Sequence, residues 1–268
     1  MQVESLFLAF ILPLVAGLFT GIGGLIVLFT RRADKNFLAV CISFSAGVMI
    51  YISFVEIFHH AYESLEYVFG EMGFAWATLA FFGGIVLSSI IDKIVPHEEE
   101  ALEAVMVPKT ENNLSRKDVK TLKRMGVMTA IAVSVHNFPE GIVTFMAALH
   151  DPAVGIGIAV AIGIHNIPEG IAVAAPIHYA TGSRKKAMLW SLAAGITEPL
   201  GALAAFLFVR HIFNDTVLGI VFAVVGGIMV YISFHQLLPT AIKFGKHHTV
   251  MKGLFAGMAV MAASLLVI

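Results

Sequence analysis

The sequence predicts an all-α integral membrane protein, with eight transmembrane helices, inverted-repeat symmetry and both termini outside. Three observations predict this. Of 268 residues, 58% are hydrophobic and only 13% are charged, about half the charge of a typical soluble domain. Apolar stretches of about 18 residues or more recur along the whole chain, each long enough to cross the hydrocarbon core of a bilayer as a helix. The roughly ten-residue alternating segments of a membrane β-barrel are absent. Threaded alternately through a membrane, these stretches leave sixteen of the seventeen Lys and Arg residues on one side, which marks that side as cytoplasmic.

The elements follow in order, as one transmembrane domain. Span 1 covers about residues 6–29. No Lys or Arg precedes it, Arg31 and Arg32 follow it directly, and it is too long for the apolar core of a signal peptide. Span 2, about 37–60, holds the single cysteine, Cys41, which excludes an intramolecular disulfide and a cysteine-based zinc site. Span 3, about 73–94, leads into the one long connection, 95–120. That connection and its flanks carry Lys93, Lys109, Arg116, Lys117, Lys120, Lys123 and Arg124, so it is assigned to the cytoplasm. Spans 4 and 5, about 121–148 and 153–178, are joined by a turn at Asp151-Pro152. Span 6, about 187–209, contains Glu198 between Thr197 and Pro199, and spans 7 and 8 cover about 216–238 and 250–268. Arg184, Lys185, Lys186, Lys243, Lys246 and Lys252 fall on the cytoplasmic side, and Arg210 alone falls outside. The net charge of −1 says nothing about partners, and no basic patch points to nucleic acid. The expected location is a plasma membrane, crossed many times.

Two internal repeats run through this plan. Ala46 to Phe54 in span 2 reads AGVMIYISF, and Gly226 to Phe234 in span 7 reads GGIMVYISF. In spans 4 and 5, His136-Asn137-Phe138-Pro139-Glu140-Gly141 is echoed by His165-Asn166-Ile167-Pro168-Glu169-Gly170. Each pair lies on spans that run in opposite directions. Inverted repeats of this kind are a recurrent plan of secondary transporters, with substrate held near the midplane where the repeats meet.

The second repeat carries the chemistry. An ionisable group at the bilayer centre costs at least about 2.5 kcal/mol, and here several are placed together twice. Positions i and i+4 share a helix face, so His136 and Glu140 point one way, as do His165 and Glu169. The two phrases are nearly symmetric about Asp151-Pro152, which sets them at the same depth and facing each other. Pro139 and Pro168 lack an N–H and so free the carbonyls of Val135 and Ile164. With Glu198, the inventory is two imidazoles, three carboxylates and two amide oxygens. Imidazole with carboxylate suits Zn²⁺, Fe²⁺, Co²⁺ or Mn²⁺. The absence of thiolate suits an ion that must leave again. Glu140 and Glu169 have the capacity to bridge two ions. Hydrogen bonding between helices is the bland alternative, and it accounts more readily for one such His than for a duplicated set. Weaker accessory metal candidates are Glu56, His59 and His60 at the outer end of span 2, His235 with Gln236 at the matching place in span 7, and His97, which opens an acidic run in the long connection.

The His-Asn-x-Pro-Glu-Gly phrases on spans 4 and 5, followed by Glu198-Pro199 on span 6, resemble the ZIP family of divalent metal transporters, and its bacterial ZupT-like branch in particular. The resemblance covers essentially the whole chain. It implies import of zinc, with iron, manganese and cobalt, across a bacterial inner membrane, one helix bundle shifting against the other. Zn²⁺ and Fe²⁺ are then bound as substrate, with no further cofactor, and a homodimer is compatible with it. It also implies a binuclear site: one ion at Glu140, His165 and Glu169 with His136 joining, the other at Asn137, Glu140, Asn166, Glu169 and Glu198. One departure is His235-Gln236, where the family often carries an acidic pair. The competing class is an intramembrane metal-dependent hydrolase, which needs a metal-bound water and a free general base. The His-Glu-x-x-His signature that would supply both on one helix is missing.

Overall fold

In the computed structural model, residues 3–29, 35–94, 116–209 and 214–267 are described. They form eight helical rods and, among the described residues, no strand. Helix α1 is Val3–Phe29. Helix α2 is Lys35–Ile52, continued through a π turn, Ser53–Ile57, into Phe58–Phe69. Helix α3 is Gly73–Ile94, α4 is Arg116–His150 and α5 is Pro152–Thr181. Helix α6 is Arg184–Gly195 and Thr197–Ala204, meeting at Ile196 and closing in a π turn, Ala205–Val209. Helix α7 is Asp215–Ile232, a π turn Ser233–Leu237, and Leu238–Phe244, and α8 is His247–Val267.

Local chemistry sets the turns. Asp151 caps α5 by accepting from the Ala153 N–H at 2.8 Å, with Pro152 at the first helical position where its missing N–H costs nothing. Gly182, at φ 63°, takes the left-handed conformation that ends α5, and Ser183 then caps α6. Asn214 does the same for α7.

Several boundaries differ from those the sequence suggests. Helix α2 runs on to Phe69, past the expected end near residue 60, because its last turns pack aromatic residues against α3, Tyr62 with Phe74 among them. Helix α4 starts at Arg116, so the last residues of the expected connection 95–120 are helical. Helices α4 and α5 pass through Pro139, Pro168 and Pro176 without interruption, whereas α6 breaks at Ile196.

Six helical stretches among the described residues are long and apolar enough to cross a membrane. One of them, Asn36–Lys93, contains both α2 and α3. Helix α4 is not among the six, since its middle carries His136, Asn137, Pro139 and Glu140. Exposed Phe7, Leu79, Phe82, Phe208 and Phe255 leave an apolar outer surface suited to lipid. This is an integral membrane protein.

Helix α1 packs on α4, α5 and α6, while α2 packs on α7 and α8 and α3 packs on α7; α2 also lies along α5. The close contacts occur in matched sets. A Cβ at Gly141 would lie 1.9 Å from the Glu198 carbonyl oxygen, and one at Gly201 would lie 2.0 Å from that of Phe138. Between α1 and α5, a Cβ at Gly170 would lie 1.9 Å from the Thr20 oxygen, and one at Gly23 2.0 Å from that of Ile167. Helix α6 therefore lies on α4 as α1 lies on α5, with Glu198 standing where α1 has Thr20. The pairs α2–α8 and α3–α7 match in the same way, through Gly47 with Gly257 and Gly227 with Gly84. The π turns of α2 and α7 also correspond. Ser53 donates to the Met49 carbonyl at 2.6 Å and Ser233 to that of Met229 at 2.8 Å, a back-bond that loosens the helix at both places.

Candidate metal centre

The repeated phrases meet where α4 crosses α5. His136 Nε2 lies 3.1 Å from Glu169 Oε2, and His165 Nε2 lies 3.4 Å from Glu140 Oε1. Each histidine thus pairs with the carboxylate of the opposite helix rather than its own. All four side chains are buried, none more than 2% exposed, and each pairing lowers the cost of taking charge out of water. His165 Nδ1 donates to the Ala161 carbonyl at 3.2 Å, which leaves Nε2 as the nitrogen facing Glu140.

The amides are held by the flanking helices. Asn166 Nδ2 donates to the Ala16 carbonyl of α1 at 2.9 Å and to Glu198 Oε1 of α6. Asn137 Nδ2 donates to the Ala194 carbonyl of α6 at 3.4 Å, the counterpart of the first of these bonds. With the N–H groups turned away, both amide oxygens are left without a hydrogen-bond donor among the described residues, as are Glu140 Oε2, Glu169 Oε1 and Glu198 Oε2. A buried acceptor without a partner costs about 1–3 kcal/mol, and five in one place call for a cation. Ser45 of α2 braces the site by donating to the His165 carbonyl at 3.3 Å.

The seven residues His136, Asn137, Glu140, His165, Asn166, Glu169 and Glu198 are all buried at this crossing. The side chains contact one another in pairs. Among the described residues no three of His, Cys, Asp or Glu are gathered closely enough to hold an ion as they stand.

The accessory candidates lie elsewhere. His60 contacts Glu56 at 3.2 Å and Glu63 at 3.5 Å, and His59 contacts Glu63 at 3.1 Å, all on the C-terminal half of α2. His235 stacks on Tyr231 with ring centroids 4.8 Å apart, its Nδ1 3.6 Å from Asp92 Oδ2. His97 lies outside the described residues. Asp92 was not singled out from the sequence, yet it also accepts from Gln236 at 2.8 Å and from Tyr231 at 3.3 Å. Its one sequence signal is an acid near the end of an apolar helix.

Residues 96–265 match the model of the family described as ZIP Zinc transporter. The chain belongs to the ZIP family. It is 49% identical to the zinc transporter ZupT of Clostridium perfringens over 99% of this chain and 97% of that protein. It is 53% identical to the ZupT of Nitratidesulfovibrio vulgaris over 98% of this chain and 97% of that one. It is 52% identical to that of Corynebacterium glutamicum over 96% of this chain and 98% of that one. This ZIP protein is a transporter and not an enzyme, so the hydrolase reading falls.

Proposed function

We propose that this protein imports divalent transition metal ions, zinc foremost, through the α4–α5–α6 centre into the cytoplasm of a bacterial cell, across its inner membrane. The observation that carries the reading is the duplicated, cross-paired His/Glu set with its five unpartnered acceptor oxygens. The names of the ZupT relatives support zinc as the substrate. In this reading all eight rods cross the membrane as an inverted repeat with both termini outside, which places the α4–α5 turn on the outer face.

An arriving Zn²⁺ competes with each imidazole for the carboxylate it touches. His136 and His165 turn their Nε2 atoms to the ion, and Glu140 and Glu169 supply oxygens that two neighbouring ions share. Asn137, Asn166 and Glu198 form the oxygen-richer half, a harder set that also suits Fe²⁺, Mn²⁺ and Co²⁺. With no thiolate, binding stays weak enough for release.

Radioactive Zn²⁺ uptake into proteoliposomes, by wild type and by Glu169→Ala, tests the reading. Saturable uptake that the substitution abolishes is expected. Uptake unchanged by the substitution would move the pathway away from this centre.

A further inference from the structure

Beyond the central site, a cavity of about 300 Å³ opens among the ends of α2, α4, α5 and α7. Four acid or imidazole side chains from three helices line it: His60 and Glu63 of α2, His150 of α4 and Asp215 of α7. Its floor includes Ala147, Leu218 and Phe222, all buried. Ala147 stands two turns along α4 from Glu140, so the floor lies about 10 Å from the centre.

We propose that this cavity captures hydrated divalent metal ions from outside the cell and stages them for the central site; the inference rests on the import reading and topology above. Size and chemistry argue for it together. Six waters occupy about 180 Å³ at their liquid volume of roughly 30 Å³ each, so the cavity accommodates an ion with its complete first shell. The four acid and imidazole side chains are spread over three helices around the opening. Glu63, Asp215 and the His150 ring accept hydrogen bonds from the ion's own waters, while both ring nitrogens of His60 face the carboxylates of Glu56 and Glu63. Charge favours the same ion. In this topology Glu63, Glu66, Glu71, Asp151 and Asp215 belong to the outer side, against Arg210 alone, and an acidic cleft concentrates cations at its mouth. Dehydration is left to the central site, where anionic ligands offset its cost.

Neither His150 nor Asp215 belongs to the central site, and both are at least partly exposed, so the double substitution His150→Ala/Asp215→Asn tests capture without disturbing the centre. In proteoliposomes the expected result is an apparent KM for Zn²⁺ raised about fivefold, with maximal rate kept within about twofold. An unchanged KM, or a lost rate at unchanged KM, would overturn the proposal. A binding measurement separates this from failure of the import reading. In nanodiscs, with the centre disabled by Glu140→Ala/Glu169→Ala, electron paramagnetic resonance of added Mn²⁺ should report a weak bound population. That population should disappear when His150→Ala/Asp215→Asn is added. If it persists, or if none forms, the cavity does not hold the ion, whether or not zinc is transported.

Discussion

Helix α1 against α5, and α6 against α4, are two versions of one contact, and they differ at one chemically decisive position. Gly17 and Gly195 face each other, each with the other's carbonyl oxygen within 2.3 Å of its would-be Cβ. Nearly two turns further on, Gly23 meets the Ile167 carbonyl of α5 and Gly201 that of Phe138 of α4, and Ala16 and Ala194 accept from the two asparagines. Between them, α1 offers Thr20 and α6 offers Glu198, both fully buried. The backbone repeats while the ligand chemistry does not. A symmetric frame supplies paired His, Asn and Glu, and α6 adds a single acid; in the proposed function that acid makes one half of the centre harder than the other.

A second broken correspondence lies beside it. Ser45 of α2 donates to the His165 carbonyl of α5, but the matching residue of α7 is Val225, which has no donor for the His136 carbonyl. Along that unbraced α4–α7 side runs a cavity of about 40 Å³ that includes Val135, Pro139, Asp92 and Gln236. In the proposed topology Asp92 lies toward the cytoplasm, so the looser side of the repeat is the side from which an ion would leave.

The comparison predicts its largest effect at Glu198. Glu198→Gln keeps an oxygen for the Asn166 N–H but removes the charge that distinguishes the two halves. Apparent affinity should fall by at least about tenfold, and by more for Mn²⁺ and Fe²⁺ than for Zn²⁺, because the harder ions lose the harder ligand. Competition uptake against radioactive Zn²⁺ would measure it. An equal loss for all three ions would mean that Glu198 does not define a separate position.

Much of this was legible in the sequence. The phrase is duplicated, its histidines and glutamates lie four apart, and its two copies are nearly symmetric about a Pro turn, so a facing arrangement of α4 and α5 follows from helical periodicity. The cross-pairing is a finer matter. Spacing places His136 and Glu140 on one face, but only the crossing of the helices decides that His136 meets Glu169. The broken helix at Ile196, the extension of α2 to Phe69 and the roles of Ser45, Thr20 and Asp92 were not legible. Each depends on which neighbour a single residue meets, and no repeat or motif advertises it. The equivalence of Thr20 with Glu198 was hidden for the same reason, since few residues around them are identical and it is the Gly contacts that align them.

Those contacts give the next test. Gly141→Ala and Gly170→Ala each drive a methyl into a backbone oxygen 1.9 Å away, and overpacking of this kind costs about 1–3 kcal/mol. Thermal unfolding in detergent should show similar losses for both. Uptake per folded molecule should not: Gly141→Ala displaces the turn carrying Glu198, whereas Gly170→Ala displaces the turn carrying Thr20. A larger transport defect in Gly170→Ala would reverse the assignment of the active half.

The smallest effect is expected at Thr20 itself, and it is the most discriminating. Its backbone oxygen accepts from Ser191 at 2.6 Å, but its buried hydroxyl has no hydrogen-bond partner among the described residues. Thr20→Val preserves shape and discards a polar atom that gains nothing from burial, so stability should be unchanged or higher by up to about 1 kcal/mol. Zinc uptake should stay within about twofold of wild type if α1 supplies only packing. A tenfold loss at unchanged stability would instead make the Thr20 hydroxyl a ligand. The two halves of the repeat would then differ in the strength of their oxygen donor rather than in whether they have one.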